Sequence, residues 1–502
     1  MDFVFSVLQG AFVPEVIIFA MVGVFLGVTV GAIPGLSGDM AIALLLPFVY
    51  KLNPVPALGM LIGIYKGSMF GGAISAISFG VPGTPAAVVT MEDGYPAKKN
   101  GYPKKAMLTA LYSSVTGDFF STLILIFLAL PLASVSLKFG PVEFFALYVF
   151  AMMMIALLVQ GGMKKGLVAA GIGLFIGCIG MDPVIGTTRL IFGISRLRGG
   201  IPLIPLLVGV FAVSELMIQF AKEWYRSRLK KIKELSRLSK ESGYDPSKDI
   251  MSFKVYLSTL KATMIGSAMG TFIGALPGAG SSLAAYVSYG AAKRASSHPE
   301  QFGKGILEGV AAPEAGNSAT CGASMIPLLT FGIPGSATAA LIGAALIMQG
   351  INPGPLVFQE NTLIMFTLFV VIFYASVMNL GFGYALIPLY AKISMVKPRF
   401  LFPSVFIFAL IGTYASRNSI TDVWILLIAG LLGALLRKGR FPLGPLVLAF
   451  IIGPGAEKAL RQALLIGGGE WSVLLKSPIA IGFYAISVVS IILLTKFQKK
   501  LA

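Results

Sequence analysis

Residues 23–35 read GVFLGVTVGAIPG, and residues 266–278 read GSAMGTFIGALPG. Gly23, Gly27, Gly31, Pro34 and Gly35 thus return as Gly266, Gly270, Gly274, Pro277 and Gly278 at one constant offset. Glycines four apart share one helix face and admit a neighbouring backbone, so both stripes are read as packing surfaces. The Pro-Gly that follows interrupts the helix, because proline has no N–H to extend the hydrogen-bond ladder. Further pairs follow in the same order. Phe79-Gly80-Val81-Pro82-Gly83-Thr84 is echoed by Phe331-Gly332-Ile333-Pro334-Gly335-Ser336. Pro202-Leu203-Ile204-Pro205-Leu206 is echoed by Pro442-Leu443-Gly444-Pro445-Leu446, and Glu215 then corresponds to Glu457. Ordered self-similarity of this kind is the mark of a duplicated unit.

Composition decides what the unit sits in. Of 502 residues, 56% are hydrophobic and 12% charged, against roughly 25% charged in an ordinary soluble domain. A soluble globular fold and a disordered chain are both excluded, and an all-α polytopic membrane protein is expected. The net charge of +18 would suggest nucleic acid in a soluble protein. Here the basic residues collect in short connections between apolar runs, which is the positive-inside pattern, and no nucleic-acid partner is expected. Lys98, Lys99, Lys104 and Lys105 fill one such connection, and residues 222–254 form the long polar one. Within the latter, Trp224 to Leu238 has the character of an amphipathic surface helix. The N-terminus shows no basic n-region and no small-residue cleavage site, so its first helix is expected to be retained.

The expected organisation is a first transmembrane repeat over 1–221, a basic cytoplasmic linker over 222–254, a second repeat over 255–460, and a C-terminal helix and tail over 461–502. The connection after Pro82-Gly83-Thr84 is Lys-rich, whereas Gln349 to Glu360 has no Lys or Arg. Equivalent loops therefore face opposite sides, and the repeats are expected to be inverted. The N-terminus then lies outside, with linker and C-terminus cytoplasmic and a last helix over Ile479–Leu494. Full crossings are expected near 15–33, 107–132, 142–160, 166–181, 201–220, 255–276, 361–390, 400–416, 421–436 and 477–495. The runs at 40–50, 57–70, 72–82, 281–292, 321–332 and 336–350 are too short to cross a ~30 Å hydrocarbon core. They are read as half-helices and re-entrant hairpins meeting near the membrane midplane, with lipid around the whole.

Unpaired backbone groups cost several kcal/mol each in hydrocarbon, so broken helices survive only where protein or a polar cavity satisfies them. Paired breaks in two inverted halves therefore point to a binding site of a secondary transporter. Four breaks fit: Pro34–Asp39, Pro82–Pro85, Pro277–Ser282 and Pro334–Thr338. Their backbone amides and hydroxyls suit either a carboxylate or a hard cation. Substrate contacts are expected from Pro34, Gly35, Ser37, Gly38, Asp39, Lys66, Gly67, Ser68, Gly278, Gly280, Ser281, Ser282, Asn317 and Ser318. Cation contacts are expected from Gly83, Thr84, Pro85, Gly335, Ser336, Ala337 and Thr338. Lys66 either attracts a substrate carboxylate or snorkels, and Asp39 either holds a cation or proton or caps a helix. Near Glu314, read as structural, Asn317 is the better ligand.

Catalytic readings find little support. The single histidine, His298, lies in a polar loop, so neither a Ser-His-Asp triad nor a histidine metal site has a basis. Cys178 and Cys321 lack metal-ligand spacing, and no GxxxxGK[ST] motif is present. Gly171-x-Gly173-x3-Gly177 lacks dinucleotide spacing. No enzyme activity, metal centre or cofactor is expected, and ATP is not the energy source of this chain.

Several ordered motifs resemble the large membrane subunit of the tripartite tricarboxylate transporters over nearly the whole length. They are Gly31-Ala32-Ile33-Pro34-Gly35-Leu36-Ser37, Gly71-Gly72, Val81-Pro82-Gly83-Thr84-Pro85 and Asp93-Gly94-Tyr95-Pro96. Gly180-Met181-Asp182-Pro183 with Gly186 and Arg189, Gly274-Ala275-Leu276-Pro277-Gly278, Pro313-Glu314-Ala315 with Asn317, and Phe331 to Ser336 complete the set. The resemblance implies a cation-coupled importer of di- or tricarboxylates in a prokaryotic cytoplasmic membrane, driven by Na⁺ or H⁺. It also implies a small, roughly four-helix membrane subunit and an extracytoplasmic solute-binding protein as partners. Lys66 and Ser318 depart from the resemblance: the family usually has an uncharged residue at the first and often Asn at the second. The alternative from another class is a passive scaffold or channel whose breaks only serve packing.

Overall fold

The computed structural model describes residues 2–33, 36–158, 162–182, 184–229, 249–393 and 398–501. It is an all-α bundle, as the composition dictates, with one two-residue antiparallel pair, β1 (Gly180–Met181) and β2 (Thr188–Arg189). Among the described residues, eight helices are long and apolar enough to cross a membrane. The chain is a multi-pass membrane protein.

Up to the linker, the helices are α1 (Asp2–Ala11), α2 (Pro14–Ala32), α3 (Gly38–Val49), α4 (Pro54–Phe79) and α5 (Ala87–Lys99). They continue as α6 (Pro103–Ser136), α7 (Pro141–Leu158), α8 (Met163–Gly177), α9 (Leu203–Leu207) and α10 (Ser214–Leu229). A π-helical turn, Val208–Val213, joins the last two. Beyond the linker come α11 (Phe253–Gly274), α12 (Gly280–Ala295), α13 (Glu308–Phe331), α14 (Ala337–Met348) and α15 (Val357–Glu360). The chain closes with α16 (Thr362–Ile393), α17 (Pro398–Arg417), α18 (Ile420–Lys438), α19 (Leu443–Ile466) and α20 (Pro478–Leu501).

The glycine stripes do what their spacing dictates. A Cβ on Gly23, Gly27 or Gly31 would stand 2.1, 2.5 or 2.6 Å from the carbonyl oxygens of Met60, Ile64 and Ser68 on α4. The seam is reciprocal: Cβ atoms on Gly63, Gly67 and Gly71 would lie 2.7, 2.5 and 2.5 Å from the carbonyls of Ala20, Val24 and Val28. The second stripe is pressed on α13 in the same way. Gly266 and Gly270 would collide at 2.2 Å with the carbonyls of Ala312 and Gly316, and Gly274 at 2.8 Å with Thr320 Cα. Only glycine permits backbones to approach this closely.

Both helices that receive a stripe run through the interior. Every residue of α4 from Pro56 to Ser78, and of α13 from Gly309 to Thr330, is buried. Each ends on a left-handed glycine, Gly80 at φ +64° and Gly332 at φ +73°, which closes the last turn and turns the chain into the next Pro-Gly. Apolar side chains line the outside instead, among them Phe127 at 71% exposure, as lipid-facing surfaces require.

Several expectations are corrected. Run 57–70 and residues 72–79 of the next run lie in one 26-residue helix, α4, and 321–331 is the end of the 24-residue α13. Glycine is tolerated inside a helix, and here a neighbouring backbone packs into the space it leaves. The 15-residue α8 stops at Gly177 and passes into the β1–β2 turn, so 166–181 is not one helix. α19, an apolar helix of 24 residues, lies where no crossing was expected. The boundaries drawn at 221 and 460 fall inside α10 and α19. Of the expected surface helix, residues 230–238 lie outside the described residues, as do Pro34, Gly35 and Pro183.

Gly270→Ala is expected to cost about 1–3 kcal/mol through forced separation of α11 from α13. Gly171→Ala, whose Cβ would meet nothing within 4 Å, should be neutral or stabilising by up to about 1 kcal/mol. Thermal midpoints of the two purified variants check the contrast.

Candidate functional site

The breaks close on the same seams that hold the bundle together. The Gly83 N–H donates to the Gly72 carbonyl at 3.3 Å, and the Gly335 N–H donates to the Ser324 carbonyl at 3.3 Å. A Cβ on Gly83 would stand 2.2 Å from the Gly31 carbonyl, and one on Gly335 would stand 2.6 Å from that of Gly274. Each Pro-Gly thus sits over the last glycine of its own stripe. Gly278, at φ +78°, donates its N–H to the Gly335 carbonyl at 2.9 Å, which joins the break at 277–282 to that at 334–338.

Two half-helices start inside this layer. Ser37 caps α3 by accepting the Met40 N–H at 3.2 Å, and Ser336 caps α14 by accepting the Ala339 N–H at 3.1 Å. Their first turns touch: the Thr338 hydroxyl donates to Asp39 Oδ1 across the two halves of the chain. Tyr65 of α4 bridges the same place, its hydroxyl 3.2 Å from both Ser336 Oγ and Ser324 Oγ. Gly38 abuts Ser68, whose hydroxyl would stand 2.2 Å from a Cβ there. Two helix N-termini with their partial positive charge therefore face one buried polar layer.

The other expected ligands are distributed around it. Asn317 Nδ2 donates to the Met69 carbonyl at 3.2 Å, while Asn317 Oδ1 and Thr84 Oγ1 are buried with no hydrogen-bond partner among the described residues. Ser318 Oγ lies 2.6 Å from Ser114 Oγ. Gly67 faces α2 rather than the layer, against the Val24 carbonyl. Gly280, Ser281 and Ser282 form the half-buried first turn of α12, and Pro85 is exposed.

Lys66, read in the sequence as attracting a substrate carboxylate or snorkelling, is paired inside the bundle. Its ammonium is 2% exposed and bonds both carboxylate oxygens of Asp118, at 2.6 and 2.7 Å, with Ser376 Oγ at 2.8 Å. It therefore neither snorkels nor presents a free charge. Asp118, Ser376, Tyr65 and Ser324 are residues that sequence reasoning missed. The one available signal was an acid, Asp118, inside an apolar run that must find a partner when buried. Glu314 is fully buried too, accepting the Thr90 hydroxyl on Oε1 while Oε2 has no partner among the described residues.

A model of the family described as the tripartite tricarboxylate transporter TctA family matches residues 17–448. An uncharacterized 52.8 kDa protein of the TAR-I ttuC' 3' region of Agrobacterium vitis is 37% identical over 487 residues, covering 97% of this chain and 94% of the relative. A second uncharacterized protein, of the TAR-II ttuC' 3' region of Agrobacterium vitis, is 39% identical over 225 residues, 45% of this chain and 93% of that protein. No solved structure matches.

Apart from the breaks, one ion network ties the loop after α8 to α19. Asp182 lies 2.9 Å from Arg461 and 3.4 Å from Arg189, and Glu457 lies 2.7 and 2.8 Å from the same two guanidinium groups. A cavity of about 850 Å³ lined by Glu215, Arg437 and Phe441 shares no residue with either the network or the breaks. The N–H groups of Ile185 and Val184 donate to Asp182 Oδ1, each at 2.9 Å, and with Arg461 and Arg189 hold its carboxyl below the ordinary value of 3.8. A carboxyl that ionises more readily when folded stabilises the fold above that value, and the contribution is lost as pH falls below it. Asp182→Asn should therefore lower the thermal midpoint at neutral pH, and the gap from the unmodified chain should close below pH 3.8.

Proposed function

The chain belongs to the tripartite tricarboxylate transporter TctA family, and from that premise we propose that it is the translocating subunit of a cation-coupled importer of di- or tricarboxylates. The observation that carries the proposal is the part-buried layer where the Ser37 and Ser336 caps meet through Asp39 and Thr338. Helix N-termini supply N–H donors and partial positive charge to an anion. Two further oxygens, Thr84 Oγ1 beside Gly72 and Asn317 Oδ1 of the side chain that reaches Met69, have no partner among the described residues and are of the kind that a hard cation satisfies.

The mechanism follows from charge balance. A carboxylate entering a low-dielectric layer alone meets a large desolvation cost, and a co-bound cation offsets it. Substrate and ion, Na⁺ or H⁺, then cross together as the two halves rock about the layer, outward-open first and inward-open second. Inverted repeats are the architecture for this motion, because each half can adopt the other's conformation. The recurrence of the glycine seam and of the closing Pro-Gly in the same register in both halves supports it. In the same proposal, an extracytoplasmic solute-binding protein delivers the substrate, and a small four-helix membrane subunit completes the complex in the prokaryotic cytoplasmic membrane.

Vesicles containing the chain with its partner subunits should accumulate labelled di- or tricarboxylates against a gradient, and accumulation should collapse when the imposed Na⁺ or H⁺ gradient is removed. Equilibration without accumulation would instead mark a passive channel. Thr84→Ala and Ser336→Ala should each raise the cation concentration needed for half-maximal uptake by about tenfold, the worth of one lost ligand of roughly 1.4 kcal/mol; unchanged dependence would remove that residue from the cation site. Single cysteines placed between Lys98 and Lys105 and between Gln349 and Glu360 should be labelled from opposite faces of the membrane.

A further inference from the structure

Lys66 is a lysine in a place built for a free ion. Four oxygens surround its Nζ: both carboxylate oxygens of Asp118 at 2.6 and 2.7 Å, Ser376 Oγ at 2.8 Å and Thr122 Oγ1 at 3.4 Å. They come from two helices, α6 and α16, whereas the lysine arrives from a third, α4. Asp118 and Thr122 stand one turn apart on α6, so their side chains share a face. Ser376 also donates to Asp118 Oδ2 at 2.6 Å, which pins the carboxylate with or without the lysine. Lys66, Asp118, Thr122 and Ser376 are each 2% exposed or less. Lysine is almost never fully buried unless paired, and a buried ion pair is commonly no more stable than apolar side chains of the same volume. Stability alone therefore gives no reason for the cluster. What its geometry offers is a compact shell of carboxylate and hydroxyl oxygens around one point of positive charge, the donor set of a monovalent-cation site.

We propose that Asp118, Thr122 and Ser376 form a monovalent-cation cradle of the ammonium class, which the chain fills with its own tethered ammonium, Lys66. Tyr65, the residue before Lys66 on the same helix, contacts Ser336 and Ser324 of the polar layer. With its charge met internally, this position requires no ion from solution. An exchangeable ion would therefore bind elsewhere. Truncation at residue 66 should expose a shell that accepts a small free cation, and this holds whether or not the chain moves carboxylates, since binding rather than uptake is what the test reads.

The test is thermal stability of the purified full-length chain titrated with methylammonium, Na⁺ and tetramethylammonium. Lys66→Ala strands the Asp118 charge and should lower the midpoint; methylammonium, the severed end of the side chain, should restore it saturably. The apparent affinity for methylammonium should be at least about tenfold tighter in K66A than in the unmodified chain. Tetramethylammonium, too large for the shell and without N–H donors, should not restore it. The double variant Lys66→Met with Asp118→Asn, which leaves no charge in this cluster, should show no cation response. Equal methylammonium affinity in K66A and the unmodified chain would overturn the proposal, as would equal rescue by tetramethylammonium or an undiminished response in the double variant. If K66A is recovered only when prepared in methylammonium, the cradle is supported. If it is recovered in no cation while the double variant folds, the cradle does not accept a free ion and the proposal fails.

Discussion

Everything in this bundle depends on two helices being able to lie backbone against backbone. Between α2 and α4 the contact is made by six glycines in reciprocal register, and between α11 and α13 by Gly266, Gly270 and Gly274. In lipid there is little hydrophobic drive between helices, so close van der Waals approach must supply the association. The approach also excludes side chains from the seam. That is why α4 and α13 can occupy the interior for their whole length while large apolar residues are left to the outer helices.

An interior made of such helices can be polar. Along α11, Thr263 donates to the Thr259 carbonyl, Ser267 to that of Thr263, and Thr271 to that of Ser267, one bond at each turn. Hydroxyls that bond their own helix need no outside partner, so they enter a low-dielectric core at modest cost. The charged groups obey the stricter rule. Lys66 and Asp118 are buried together, and Asp93 is held by the N–H groups of Gly303, Gly305 and Ile306 and by the Tyr289 hydroxyl. The connection between α12 and α13 is thereby fastened to α5.

Much of this was legible in the residues. Stripe spacing, Pro-Gly breaks and composition led directly to an all-α membrane bundle, and the breaks at 277–282 and 334–338 do meet, through Gly278 and Gly335. The reading erred where it treated glycine as punctuation. Gly71, where the run was read as interrupted between 57–70 and 72–82, is packed within α4. What stands opposite it is the Val28 carbonyl, some forty residues away in the chain. Tyr65 was missed because nothing local distinguishes a tyrosine that packs from one that bridges two serines more than 250 residues distant.

Properties that repeat along the chain were decided by the sequence itself: helical class, membrane residence, the recurring stripe and the Pro-Gly breaks at 82–85, 277–282 and 334–338. They rest on composition and on spacing between near neighbours, which any helix expresses wherever it is placed. The partners of isolated groups were decided only by the tertiary structure. Lys66 could have faced lipid headgroups, a substrate or an acid, and the packing of α6 and α16 against α4 selects Asp118 and Ser376. Asp39 and Thr338 likewise meet only because two half-helices from opposite halves start in one layer. A buried charge or hydroxyl must be satisfied, and which group satisfies it is a property of the assembled bundle.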